Sequence, residues 1–221
     1  MKKLVSILLA LVLVLSCTIP AFAAEVEMPT SVSESTVCVS ETQGDVELLR
    51  RQIEEVNNYL EENVEAVDLE EQTVQYNIPL SDGSTAKYSL TLTQAPEARK
   101  TIFEAVLGTW YFKSNIDLPL HGSVTIQTTV NITHVPTEMY DVIRFTAYGG
   151  KVSAIPLQFT SITGSSATTK AIIETLHYDT TGYVGFDVAG VAANLYFTQS
   201  IAFVNNHDQN TKIQCVTNYT V

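Results

Sequence analysis

Residues 123–133 read SVTIQTTVNIT, and this stretch decides the fold. Its odd-numbered positions are all polar, and its even-numbered positions are apolar except for Thr128. Because successive side chains of a β-strand point to opposite faces, the alternation predicts a strand with one face in a core and the other in water. Threonine is β-branched and suits a strand, so Thr128 does not break the pattern. The residues predicted to point inward are Val124, Ile126, Val130 and Ile132.

The same two-residue period runs through the sequence from residue 73 onward. Residues 74–80 and 86–92 alternate on either side of Ser81-Asp82-Gly83-Ser84, and Asp-Gly tolerates the backbone angles of a tight hairpin turn. Further alternating segments follow, separated by turns rich in Gly, Asn and Asp. We therefore predict a mainly β protein in which residues 71–221 form a single antiparallel β-sandwich or barrel-like domain.

One amphipathic α-helix is predicted before the β domain, over residues 45–70. Its apolar residues recur at spacings of three and four, which makes a narrow stripe along one face of an otherwise acidic helix. The stripe either packs on the β domain or supports self-association or partner binding through the helix. Residues 24–44 lack a sustained period and are predicted to be a disordered leader. The stripe consists of Val46, Leu49, Ile53, Val56, Leu60 and Val67.

Residues 1–23 have the form of a signal peptide. Lys2 and Lys3 precede an apolar run at residues 4–15, and Ala21-Phe22-Ala23 is a small-x-small cleavage site. We therefore expect a secreted, extracellular protein without a transmembrane helix once the signal is removed. The alternative is a lipid anchor on Cys17, because the residues before it loosely match a bacterial lipidation site.

The acidic charge is concentrated in the N-terminal half of the chain. The net charge is −12, and residues 24–100 hold 16 acidic and 5 basic residues against 8 and 5 in residues 101–221. Phosphate binding needs clustered Lys and Arg, so no nucleic-acid partner is predicted. After signal removal two cysteines remain, Cys38 and Cys215, which either form a disulfide or leave Cys215 as a buried apolar residue.

No catalytic, cofactor-binding or metal-binding residue is predicted, and no cofactor. The four histidines lack a second ligand at metal-binding spacing and fall at predicted strand ends or turns, where exposure is expected. Hydrolase, phosphate-loop and dinucleotide motifs are absent. Cys215 as a thiol nucleophile is disfavoured by its predicted inward position. The histidines are His121, His134, His177 and His207.

Two further sets of residues are candidates for a different function, either a glycan-acting hydrolase or a sugar-binding surface. A two-carboxylate mechanism needs a pair of acids across a cleft, and the candidates are Glu104, Asp117, Asp141, Glu174 and Asp187. The aromatic candidates for a sugar platform are Trp110, Tyr111, Tyr183 and Phe186. Trp110 and Phe112 share a face with Val106 and are predicted to be core, whereas Tyr111 is predicted to be exposed.

Residues 160–169 resemble the Ser/Thr-rich hairpins of β-pore-forming toxins, although a solvated sheet face explains the same pattern. The layout of a signal peptide, an acidic helix and a Thr-rich β region resembles secreted β-rich proteins of unknown function from Gram-positive bacteria, and this resemblance implies no site residues. We predict a secreted, non-enzymatic β-sandwich module that binds a surface, glycan or protein partner. The alternatives are a glycan-acting hydrolase using paired carboxylates and a β-pore-forming protein.

Overall fold

The computed structural model describes residues 35–96, 107–135, 142–156, 160–173, 176–188, 190–205 and 211–221. Within these residues one helix, α1, precedes ten strands. The elements are α1 (Ser35–Asn63), β1 (Val67–Asp68), β2 (Gln72–Pro79), β3 (Thr85–Gln94), β4 (Gly108–Leu118), β5 (Gly122–Val135), β6 (Val142–Pro156), β7 (Thr160–Ile173), β8 (His177–Val188), β9 (Val191–Asn205) and β10 (Lys212–Thr220).

The strands form two five-stranded antiparallel sheets. Sheet 1 has the order β2-β3-β4-β5-β6, and sheet 2 has the order β1-β10-β9-β8-β7. Every strand from β2 to β6 and from β7 to β10 pairs with its neighbour in sequence, so each set is a meander, and β1 returns to pair with β10. The predicted mainly β fold is thus confirmed in its sandwich form, with one helix before the strands.

Residues 123–133 form the middle of β5, which lies between β4 and β6 in sheet 1. Its predicted inward residues are all buried in the core, which confirms the two-residue period. Thr128 shares this buried face. The predicted hairpin is also present, because Pro79 pairs with Thr85 across a turn in which Gly83 has a φ of 85°. The inward residues are Val124, Ile126, Val130 and Ile132.

A seam of buried polar side chains crosses the core and joins the two sheets. Thr128 of β5 bonds to Thr180 of β8 at 2.6 Å and donates to the amide oxygen of Gln199 in β9. The Gln199 amide nitrogen donates to Ser114 of β4, and Ser114 bonds to Thr217 of β10 at 2.8 Å. Because all five residues are buried yet hydrogen-bonded, the seam avoids the cost of unpaired polar groups and favours one relative register of the two sheets.

Helix α1 is part of the core. Its buried residues Leu49, Ile53, Val56 and Leu60 join the same cluster as the inner faces of both sheets, and the helix packs against β8, β9 and β10. Of the two predicted uses of the stripe, packing on the β domain is the one observed. The residues that self-association through the stripe would need are therefore engaged within the chain.

The bounds of the helix differ from the prediction of residues 45–70. It begins at Ser35, and Gly44 does not end it, since a glycine costs a helix only about 1 kcal/mol relative to alanine. It ends at Asn63 because Val67 and Asp68 pair with Ile213 and Lys212 as β1. Of the predicted leader, residues 24–34 lie outside the described residues. In the part of the chain that is described, no helix has the length and apolarity to cross a membrane.

Candidate functional site

The outer face of sheet 2, which is turned away from the core, carries exposed tyrosines on its central strands. Along β8 and β9 the inward residues Val184, Leu195 and Phe197 are buried. Alternation therefore turns Tyr183 and Tyr196 outward, and their side chains are 38% and 52% exposed. Exposed aromatic rings on a sheet are large apolar surfaces with a polar tip, which is the kind of surface that binding proteins use.

The two tyrosines form a cross-strand pair. Tyr183 and Tyr196 are directly opposite in the β8–β9 register, with ring centroids 6.2 Å apart and ring planes inclined at 48°. On β9, Asn194 lies on the same face and its amide nitrogen donates a weak hydrogen bond of 3.4 Å to the Tyr196 hydroxyl. The pair offers two inclined ring faces with an amide beside them.

A depression lies next to this pair because two glycines meet in the sheet. Gly164 of β7 pairs with Gly185 of β8, so neither residue contributes a side chain of its own to the outer face. Thr163 is the extra residue of a β-bulge beside Gly164, and bulges commonly re-aim a side chain. A Cβ at Gly185 would collide with the Thr163 hydroxyl and lie 3.1 Å from the Asn194 amide oxygen.

The resulting cavity is open and has a volume of about 360 Å³. Its five lining residues carry no charge, although the chain as a whole is strongly acidic. This volume is within the range of about 300–1,000 Å³ that small-ligand sites occupy, but an open site buries only part of a ligand. We call these residues the tyrosine site: Thr163, Gly164, Tyr183, Asn194 and Tyr196.

Of the four aromatic platform candidates, the fold brings only Tyr183 to an open surface with a second ring. Trp110 is buried in the core as predicted, and Phe186 is buried as well. Tyr111 is half-buried on the outer face of sheet 1, rather than fully exposed. Tyr196 is not among the residues predicted from the sequence, although it has the same outward parity as Asn194 and Thr198 on β9.

Among the described residues, the candidate acids do not form a pair of carboxylates across a cleft. Glu104, Asp141 and Glu174 lie outside the described residues. Asp117 is exposed on the outer face of sheet 1, whereas Asp187 is on the outer face of sheet 2 and accepts a hydrogen bond of 2.6 Å from the Gly190 backbone. Since these two carboxylates point away from each other on opposite sheets, they cannot flank one glycosidic bond.

His121 contradicts the prediction that the turn histidines are exposed. It follows Leu120, which has a φ of 69°, and this turn directs the ring into the core, where only 7% of the residue remains exposed. Neither ring nitrogen has a hydrogen-bond partner, and burial lowers the pKa of His121 while Asp45 raises it by less. The ring lies with Leu49 and Phe186 beside a very small apolar cavity, too small for a substrate.

His177 lies in a cluster with Asp179 and Ser200 that the sequence analysis does not predict. Residues two apart on a strand share a face, so His177 and Asp179 meet, with Nε2 and Oδ1 3.0 Å apart. Ser200 donates to the same Asp179 oxygen at 2.7 Å. A nucleophilic triad needs the imidazole between the hydroxyl and the carboxylate, and here the carboxylate is in the middle. The cluster therefore ties β8 to β9 and does not activate Ser200.

The remaining candidates are of the structural kind. Cys215 is a free, fully buried thiol, and burial raises its pKa to about 12, so it is not a thiolate at neutral pH. The side chains of Cys38 and His134, and all of His207, lie outside what the structure describes. Among the described residues no group of His, Cys, Asp and Glu could hold a metal ion.

Scans against protein-family models, curated proteins and solved structures found no match.

Proposed function

We propose that this protein is a secreted, non-enzymatic binding module that binds a glycan at the tyrosine site. The observation that carries the proposal is the exposed Tyr183–Tyr196 pair beside an uncharged depression. Tyrosine rings pack against the apolar faces of sugar rings while their hydroxyls remain available for hydrogen bonds. Of the three kinds of partner predicted from the sequence, a surface, a glycan or a protein, we thus propose the glycan.

The polar groups of the site support a sugar over a peptide or a purely apolar ligand. Asn194 supplies an amide with both donors and an acceptor, and Thr163 supplies a hydroxyl that faces the depression. These groups complement the hydroxyls of a sugar ring. The open shape of the depression leaves much of a ligand in water, so we expect weak binding by a single site.

The charge of the protein favours an uncharged glycan. The lining residues are neutral and the chain carries a net charge of −12, so an anionic polymer would be repelled without finding a local cation at the site. For the same reason nucleic acid is not part of the proposal. Neutral polysaccharides of bacterial, plant or host surfaces are therefore the ligands to screen first.

The test is calorimetric titration of the purified protein with soluble neutral and anionic oligosaccharides. We expect a neutral oligosaccharide to bind, and Tyr183→Ala and Tyr196→Ala each to weaken binding by about tenfold or more, which corresponds to about 1.4 kcal/mol. Tyr111→Ala on the outer face of sheet 1 is the matched control and should bind like the wild type. Equal binding by all three variants, or no binding by the wild type, would contradict the proposal.

Export is part of the same proposal and has its own measurement. The intact mass of the protein recovered outside the producing cell should correspond to a chain that begins at Ala24. A species that begins at an acylated Cys17 would instead support the lipid-anchored alternative.

A further inference from the structure

One edge of sheet 2 is a long strand, β7, with no second strand paired to it among the described residues. β7 runs from Thr160 to Ile173, and within the described residues its partner in the sheet is β8. β6 lies close to it but passes over its inner face, because a Cβ at Gly150 would be 3.5 Å from the Ala167 Cβ and 3.0 Å from the Thr169 hydroxyl. The backbone groups on the outer edge of β7 are thus a template for another strand.

The side chains of β7 do little to prevent such pairing. Natural edge strands are commonly short, charged or interrupted by proline. β7 is 14 residues long, contains no proline or acidic residue, and has a single charge at Lys170. Its two β-bulges, at Thr163 and Ile172, lie near its ends and leave the stretch from Gly164 to Ala171 in regular register with β8.

The distribution of charge indicates a second copy of this chain as the occupant. Two copies with a net charge of −12 each repel one another over most of their surface. β7 itself carries no carboxylate and has one Lys, so it adds nothing to that repulsion. A basic partner would instead be drawn to the acidic face of α1, where exposed carboxylates such as Glu54, Glu61 and Glu62 are grouped.

The ends of the strand also expose apolar residues. Ile162 near its start is 39% exposed, and Ile172 and Ile173 at its end are each 56% exposed. Antiparallel pairing about a two-fold axis near Ala167 and Thr168 brings the Ile162 end of one copy beside the Ile172–Ile173 end of the other. Because Ile162 is opposite the inward Phe186 and Ile173 is opposite the outward His177, the pairing covers each isoleucine on its own face of the joined sheet.

We propose that two copies of this protein pair through β7 and join their second sheets into one continuous antiparallel sheet. A two-fold axis perpendicular to the sheet keeps both outer faces on the same side. Each dimer therefore presents two Tyr183–Tyr196 pairs on one surface, which would give a repeating ligand two attachment points. The pairing itself does not depend on what the tyrosine site binds.

The variant that tests the pairing is Thr168→Lys, and the matched control is Thr181→Lys. Thr168 and Thr181 are opposite each other in the β7–β8 register, and both are exposed on the same face. Each substitution adds the same charge, but only Lys at position 168 faces the second copy, close to its Lys170. Like charges in opposed positions disfavour strand pairing.

Sedimentation velocity over a range of concentrations is the measurement, with circular dichroism to check that both variants are folded. We expect a monomer–dimer equilibrium for the wild type and the Thr181→Lys control, and a dissociation constant about tenfold higher for Thr168→Lys. A wild type that stays monomeric up to millimolar concentration would overturn the proposal. So would a dimer that Thr168→Lys leaves as strong as the control.

Discussion

At the scale of single residues, the polar groups inside the core depend on partners that sequence does not reveal. Thr128, Thr180 and Gln199 come from three strands and meet only because the sheets pack in one register. His121 is the opposite case, a buried polar ring whose nitrogens have no hydrogen-bond partner. The two cases give different expectations for stability, because the polar groups of the three strand residues have hydrogen-bond partners and the His121 nitrogens do not.

The replacement Thr128→Val should destabilise the protein by about 1–3 kcal/mol, since it leaves the Gln199 amide oxygen and the Thr180 hydroxyl buried with one partner fewer. Thr129→Val is the matched control, because Thr129 is the next residue of β5 and points to the outer face, where water can replace any lost bond. Urea unfolding of both variants measures the difference. A seam that contributes nothing would give two equal midpoints.

His121 should make stability fall as the pH is lowered. Burial lowers its pKa in the folded protein, so the unfolded chain, with a pKa of about 6.5, binds the proton more readily. The full contribution is therefore present above that pH, and it is lost as the pH falls below it, by up to about 1.4 kcal/mol per pH unit for one proton. His121→Leu should flatten this dependence.

The measurement is chemical unfolding of wild type and His121→Leu at a series of pH values from neutral downward. The variant removes the imidazole of His121 and leaves the other titrating groups of the sequence unchanged, so the difference between the two curves isolates His121. Two parallel curves would contradict the assignment.

At the scale of elements, Asn57 fastens α1 to the edge of β10. Its amide donates to the Tyr219 carbonyl at 2.6 Å and accepts from the Tyr219 N–H at 3.0 Å, in the manner of a neighbouring strand. Asn57→Ala should therefore cost about 1–3 kcal/mol by leaving both backbone groups unpaired. The adjacent Asn58→Ala, at an exposed position, should change the free energy of unfolding by less than about 0.5 kcal/mol.

The helices and strands also show which parts of the fold can be predicted from the sequence. The two-residue period identified β5 and the β2–β3 hairpin because alternation is a local property. Val67 fits the helical stripe and is predicted to be helical, yet it forms β1 by pairing with Ile213, far away in the chain. The local sequence is enough to predict Tyr183 as an aromatic candidate. Its pairing with Tyr196 follows from the β8–β9 register, which depends on the loop between the two strands.

At the scale of the whole molecule, charge and aromatic surface are separated. Most exposed carboxylates lie on α1 and in the segment that follows it up to Glu71, whereas the tyrosine site on sheet 2 is uncharged. Helix and sheets share one core, so the acidic helix supports the sheet that carries the site. This division is what we expect of a module that stays soluble through one surface and binds a neutral ligand through another.

The most direct test of the account is a nuclear magnetic resonance titration of labelled protein with the neutral oligosaccharide that binds best. We predict that the backbone amide signals of Gly164, Gly185 and Asn194 shift in proportion to occupancy, while those of Asn115 and Gln127 on the outer face of sheet 1 stay in place. Shifts confined to sheet 1, or signals of the tyrosine site that do not move at saturating ligand, would contradict glycan binding at this surface.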